Sequence, residues 1–224
     1  NVNGTRTLLE YARDNPLDQF LFFSSAEIYG NPLSEFVPTP ETYPGNVDCT
    51  VKTACYTESK RFSETLCQTF FEQFKTPSKI LRILLGYGPG MRDDGRVVVD
   101  FFKKGREEGK ITIRDRGESC RSFCYISDIT QGILDVMFKG EDGEAYNVAN
   151  DLTNIPIKGL ARLIANTLNK DMPVETSPSA KKKEIYGVDA RDLDISKLRA
   201  LGFIPRISLE EGLLRMKAHY DQLG

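Results

Sequence analysis

The sequence predicts an α/β fold built on a parallel sheet, and three observations carry that expectation. Two short runs, Phe20–Phe23 and Lys79–Leu85, lack the polar alternation of a half-exposed strand and suit strands covered on both faces. Between them lies a helical segment long enough for a crossover. Directly after the second run, Gly86-Tyr87-Gly88-Pro89-Gly90 breaks the chain at a strand's carboxyl end, where such sheets bind ligands.

Taken in order, the chain opens with a helix over Asn1–Arg13, with Val2, Thr5, Leu8, Leu9 and Ala12 on one face. Pro16 sits in the loop before the first strand. Residues 30–53 carry Pro32, Pro38, Pro40, Pro44 and Gly45 and form a long structured loop, a kind that is usually functional. A helix follows over Ala54–Phe74, with Leu66, Phe70, Phe71 and Phe74 as its apolar contacts. Val97–Gly105 reads as a helix and Ile111–Ile113 as a strand. Ser127-Asp128 is placed to cap a helix running to Phe138. Tyr146–Val148 reads as a strand and Ile157–Leu168 as a helix. Ser208-Leu209-Glu210-Glu211 has capping-box spacing and opens a last helix through Tyr220. The run Lys181–Lys183 reads as a solvated loop face.

Composition narrows the function classes. The chain has 224 residues, 40% hydrophobic and 28% charged, enough for a folded core. A net charge of −2 gives no field to attract nucleic acid or an anionic membrane. No apolar run approaches a membrane span, and no secretion signal opens the chain. The five cysteines (49, 55, 67, 120, 124) are odd in number and lack metal-like spacing, so reduced thiols and a cytoplasmic location are expected. The solitary His219 cannot build a metal site, and no metal is expected.

The chemistry concentrates in Ser24-Ser25-Ala26-Glu27-Ile28-Tyr29-Gly30 and Tyr56-Thr57-Glu58-Ser59-Lys60. Oxidising an alcohol needs a base for the hydroxyl proton and an acceptor for the hydride. A free tyrosine, with a pKa of about 10, is a poor base at neutral pH. A lysine ammonium one helical turn away favours the phenolate, and Tyr56 and Lys60 have that spacing. Ser25, just past the first strand, can hold the substrate oxygen, and Glu27 can exchange a second proton. Alone, Tyr-x-x-x-Lys is a weak signal; the upstream serine and carboxylate give it weight.

Several motifs in the same order resemble the extended short-chain dehydrogenase/reductase family of nucleotide-sugar epimerases, dehydratases and decarboxylases. They are Asn1-Val2-Asn3-Gly4-Thr5, Ser24–Gly30, Tyr56 with Lys60, Arg121–Asp128 and Tyr146–Ala149. Within the family the likeness is greatest to the UDP-glucuronate decarboxylases. It rests on Gly45-Asn46-Val47, Ala54-Cys55-Tyr56 with Lys60-Arg61, Gly88-Pro89-Gly90-Met91 and Asp94–Val98. Ala26 stands where 4,6-dehydratases carry Asp. The resemblance implies the C-terminal part of a doubly wound Rossmann-like sheet with a smaller α/β substrate-binding lobe. Residues 1–90 would be the partial Rossmann-like domain and 91–224 mainly the lobe, with some segments returning to the sheet.

The same resemblance implies NAD as cofactor, with Asn1, Ser24, Tyr56 and Lys60 near it. Ser25, Glu27, Tyr56 and Lys60 would be catalytic. A nucleotide-sugar substrate, UDP-linked, would meet Ser25, Glu27, Arg96, Arg121 and Arg191, the arginines facing its diphosphate. It also implies a homodimer through the first two helices. A 4-epimerase or another 4-keto enzyme is the alternative activity, and a non-catalytic binding or interaction fragment the alternative of another class. Two features depart from the family. Leu85 replaces the Asn of an Arg-x-x-Asn motif, and no Gly-x-x-Gly-x-x-Gly or Gly-x-Gly-x-x-Gly occurs among these residues. The expectation is that these residues are a C-terminal part, inactive alone, with an apolar edge at Phe20–Phe23.

Overall fold

The computed structural model describes residues 1–177 and 190–222. In chain order it contains α1 (Val2–Asp14), β1 (Phe20–Ser25), α2 (Ala54–Phe74), β2 (Ser78–Ile83), β3 (Gly86–Tyr87), α3 (Val97–Glu108), β4 (Ile111–Ile113), β5 (Cys120–Arg121) and β6 (Cys124–Tyr125). There follow α4 (Ile126–Lys139), β7 (Ala145–Val148), β8 (Ile155–Pro156), α5 (Ile157–Leu168), β9 (Val174–Thr176), β10 (Ala190–Arg191), α6 (Ser196–Ala200) and α7 (Leu209–Gln222). The lysine run 181–183 lies outside the described residues.

β1, β2 and β7 form a parallel sheet in that order, with Phe20 beside Ser78 and Ile80 beside Ala145. β2 is central and covered on both faces. Its neighbours Ile80 and Leu81 point oppositely, as the pleat requires, and enter different cores. On one side Leu9 of α1 and Cys67 and Phe70 of α2 close over Phe22 and Ile80. On the other, Ile129 and Val136 of α4 and Leu198 of α6 cover Leu81 and Val148. β1 is an edge strand among the described residues, as the resemblance implies, but it is not covered on both faces as its unalternating run suggests: Phe23 is 47% exposed. Leu21 still reaches the α4 side of the core, but Phe23 projects past it.

A second core joins β3, β4 and β6 with α3, α5 and α7 around Phe102, Ile111, Phe123, Leu160, Ile164, Leu213 and Met216. Leu85 packs against both cores. The apolar side chain at this position therefore fills the seam between two packed units.

Helix ends show where local signals held and where they yielded. α2 has the expected bounds, and Ser208 receives the Glu211 amide at 3.2 Å at the start of α7. Asp128, expected as a cap, sits inside the first turn of α4, whose N-cap position is Tyr125. Its buried carboxylate instead accepts the amides of Arg206 (3.1 Å) and Ile207 (3.0 Å). Two tertiary donors outweigh the local one. Leu8, expected on the buried face of α1, is exposed, and so is Phe74 near the end of α2.

The loop after β1 is pinned. A 3-10 turn, Ala26–Tyr29, leads into Gly30 at φ 62, which bridges to Asn46. A Cβ at Gly30 would run into the Asn46 carbonyl, so only glycine fits. Among the described residues no helix is long and apolar enough to cross a membrane.

Candidate active site

α2 returns across the sheet from β1 to β2, so its first turns stand at the carboxyl end of β1. Tyr56 occupies the opening turn and is 45% exposed. Tyr56, Lys60 and Glu64 follow at four-residue spacing and share a face. The Lys60 Nζ donates to the Phe23 carbonyl at 2.5 Å and lies 5.0 Å from the centre of the Phe22 ring. Partial burial lowers its pKa from the usual lysine value, and the Glu64 carboxylate opposes that shift.

Ser25 ends β1 and caps the 3-10 turn, its Oγ accepting the Glu27 amide at 3.2 Å. Glu27 is half-buried in that turn. Ser24 points the other way: it is buried, and its hydroxyl donates to Glu64 at 2.5 Å. Asn1 reaches the same helix, donating to the Ser59 Oγ at 2.9 Å, which donates to the Tyr56 carbonyl at 2.7 Å. The structure thus gathers Asn1, Ser24, Ser25, Glu27, Tyr56 and Lys60 around the junction of β1 and α2.

A buried polar network behind this junction was not among the sequence candidates. The Arg82 guanidinium forks onto Glu64 (2.8 and 3.2 Å) and donates to the Tyr29 hydroxyl (2.9 Å) and the Glu41 carbonyl (2.7 Å). Tyr29 donates to Asn147 Oδ1 at 2.8 Å, while the Glu41 side chain accepts the Asn147 amide at 2.8 Å. Burial works against the Arg82 charge, but Glu64 and Tyr29 outweigh it and raise its pKa. Burial pushes Tyr29 up to about 12, with Arg82 opposing. One signal was available: an arginine inside the Lys79–Leu85 run is a buried charge that requires a partner.

The three candidate phosphate ligands divide. β5 lies between β10 and β8, and the register sets Arg121 beside Arg191. The Arg121 Nη1 donates to the Cys120 carbonyl at 2.8 Å. Next to them, Asp192 accepts from Ser122 (2.8 Å) and Asn154 (2.9 Å), tying the strands together. Arg96 lies at the exposed start of α3 with its guanidinium on Asp94 at 2.9 Å.

Two cavities open elsewhere. One of about 330 Å³ lies between the loop after β7 and the start of α7, lined by Asn150, Thr153, Ile155 and Ile207 among others. One of about 320 Å³ lies between α3 and the end of α7, lined by Met91, Phe102, Arg106 and Tyr220 among others. Neither is lined by Tyr56, Lys60 or Ser25, so neither coincides with the candidate catalytic group. Among the described residues no cluster of His, Cys, Asp and Glu could hold a metal ion.

A parallel sheet whose first strand ends in a serine turn, faced by a helix bearing Tyr-x-x-x-Lys, defines a Rossmann-type protein of the extended short-chain dehydrogenase class. Residues 1–149 match the NAD dependent epimerase/dehydratase family, and the chain belongs to it. It is 34% identical to UDP-glucuronic acid decarboxylase 3 of Arabidopsis thaliana, over 98% of this chain and 62% of that relative. It therefore spans less than two thirds of that relative's length. Its fold matches UDP-glucose 4-epimerase of Thermotoga maritima, solved with UDP-glucose, at a TM-score of 0.85 and 26% identity, covering 99% of this chain and 69% of that one. UDP-glucuronic acid 4-epimerase of Bacillus cereus, solved with UDP-glucuronic acid and NAD, aligns at 0.80 and 25%, covering 100% and 68%.

Proposed function

We propose that these residues form the catalytic and substrate-binding part of a nucleotide-sugar enzyme that works through a 4-keto intermediate, most similar to UDP-glucuronate decarboxylase. The observation that supports it best is the exposed Tyr56 at the carboxyl end of β1, with Lys60 one turn along and held on the Phe23 carbonyl.

A dinucleotide fits this junction in part. Lys60 brings a half-buried cation to the strand edge, and Asn1 is tied to the Tyr56 turn through Ser59. These residues and Tyr56 would hold the nicotinamide end, and Ser24 would act through the turn it anchors. The pyrophosphate would need a Gly-rich turn, which these residues do not contain. When bound, the cofactor supplies hydride acceptance and return at C4 of the sugar.

In this reading Tyr56 takes the 4-hydroxyl proton as the C4 hydride departs. Ser25 holds the same oxygen, so the new ketone keeps a hydrogen-bond donor. With a carboxylate at C6, the ketone is a β-keto acid and loses carbon dioxide. The enol left behind takes a proton at C5, and Glu27 stands in the adjacent turn to manage that exchange. Tyr56 then returns its proton to O4 as hydride returns to C4, leaving no net redox change. Arg121, with Arg191 in register beside it, faces the diphosphate, and Arg96 closes from the start of α3. The second reading, a 4-epimerase, draws on the two solved neighbours that carry that name.

The test is carbon dioxide release from UDP-glucuronate with NAD present. The 224 residues alone are expected to show none. With a relative's Gly-rich segment joined ahead of Asn1, release is expected, and Tyr56→Phe should cut it by about a hundredfold or more. Turnover unaffected by Tyr56→Phe would refute the assignment. Conversion to the C4 epimer without gas would select the second reading.

A further inference from the structure

We propose that the buried Glu64–Arg82 pair is a latch that positions the Ser25–Glu27 turn against the Tyr56 helix, and so selects for the sugar half of the ligand. The inference rests on the site reading above. Ser25 and Glu27 lie between two anchors, and both anchors are held by this pair. Upstream, the Ser24 hydroxyl donates to Glu64 Oε1 at 2.5 Å. Downstream, the Tyr29 hydroxyl receives Arg82 Nη1 at 2.9 Å.

Glu64 shares its helix face with Tyr56 and Lys60, so the carboxylate that fixes the turn stands two turns from the phenol. Arg61, next to Lys60, adds a tie of its own, donating to the Ile28 carbonyl at 3.0 Å and the Pro44 carbonyl at 2.6 Å. The same Arg82 nitrogen that holds Tyr29 also holds the Glu41 carbonyl at 2.7 Å. One guanidinium therefore fixes turn, loop and helix together.

Stability alone does not account for this arrangement. The side chains of Arg82 and Glu64 are 13% and 9% exposed. Desolvating two charges so deeply consumes most of their attraction, and packed apolar residues often replace such a pair without loss of stability. What apolar residues cannot reproduce is direction: a carboxylate accepting from Ser24, and a guanidinium that forks onto Glu64 while its Nη1 donates to Tyr29. Arg82 and Glu64 are thus positioning residues that act through the turn.

The experiment uses the 224-residue chain and the double variant Glu64→Leu/Arg82→Met. Amide exchange is read at Glu27, Gly30 and Asn46, whose N–H groups bond to Ser25 Oγ, the Glu27 carbonyl and the Tyr29 carbonyl. Calorimetry reads the affinities for UDP and UDP-glucuronate. The double variant is expected to unfold near the wild-type temperature and to keep its UDP affinity. Those three amides should exchange at least about tenfold faster, and the preference for UDP-glucuronate over UDP should fall about tenfold, the worth of one charge-assisted hydrogen bond.

Wild-type exchange at these amides overturns the latch. So does a loss of UDP and UDP-glucuronate binding in equal measure, which marks a purely structural pair. Tyr29→Phe breaks the downstream anchor and leaves the ion pair intact. It is expected to loosen Gly30 and Asn46 in the same direction, and decides the matter if the double variant does not fold. If the wild-type chain binds neither ligand, the functional reading fails, and the exchange rates alone decide the latch.

Discussion

Lys60 shows how one side chain answers two demands. Its stem crosses the Phe22 ring, and its ammonium ends on a strand carbonyl at the edge of the sheet. Partial burial disfavours the charge, so its folded pKa lies below the usual 10.5. The sign of the stability effect follows. Between the folded value and 10.5 the unfolded chain binds the proton and the native chain does not, so stability rises with pH in that window. It is lost again as pH falls through the folded value. Lys60→Met should flatten this slope in urea midpoints taken across that window, and an unchanged slope would count against burial as the cause.

α2 is where local sequence and tertiary demand agree best. Its 21 residues set Tyr56, Lys60, Glu64 and Cys67 along one face, which passes from the exposed phenol at the first turn to the core at Cys67 and Phe70. Its end carries a local conflict: Lys75 is left-handed at φ 57, the one non-glycine residue with positive φ among the described residues. Its amide bonds back to the carbonyls of Phe70 and Phe71, which stops the helix before β2. Lys75→Gly should therefore stabilise the protein by about 0.5–1 kcal/mol in denaturant melts, the residual of left-handed strain over glycine's entropy. The conflict was invisible in sequence because lysine is a good helix former and the stop is imposed by the return to Ser78. The α4 start misled in the opposite sense: Ser127-Asp128 has cap chemistry, but the amides at 206–207 claim the carboxylate.

Across the whole molecule, exposed apolar groups are spread over helices and loops, and one set lies on the first two helices. Leu8 and Tyr11 on α1 and Phe62 on α2 are each more than half exposed, while α1 packs directly on α2. We expect this face to join two copies of the chain. Sedimentation should then show the wild type self-associating and Tyr11→Glu with Phe62→Glu monomeric at the same concentration, and a monomeric wild type would refute the expectation. If Phe23→Lys dissociates the assembly instead, the β1 edge is the contact.

The long helices and strands and the family were legible in the sequence, because each depends on short-range spacing; the roles of Ser25, Glu27, Tyr56 and Lys60 are the proposal above. The buried β2 strand and the bounds of α2 and α5 follow from periodicity and composition. The short pairings were not legible: strands of two residues, such as β5 beside β10, carry no periodic signal and exist only because their partners are near. Nor was the Glu64–Arg82–Tyr29 network, whose members are separated by 18 to 53 positions. Local physics writes a residue's chemistry and its element into the chain. Which carboxylate faces which guanidinium is decided when the cores close, because burying charge and apolar surface is a property of the whole packing.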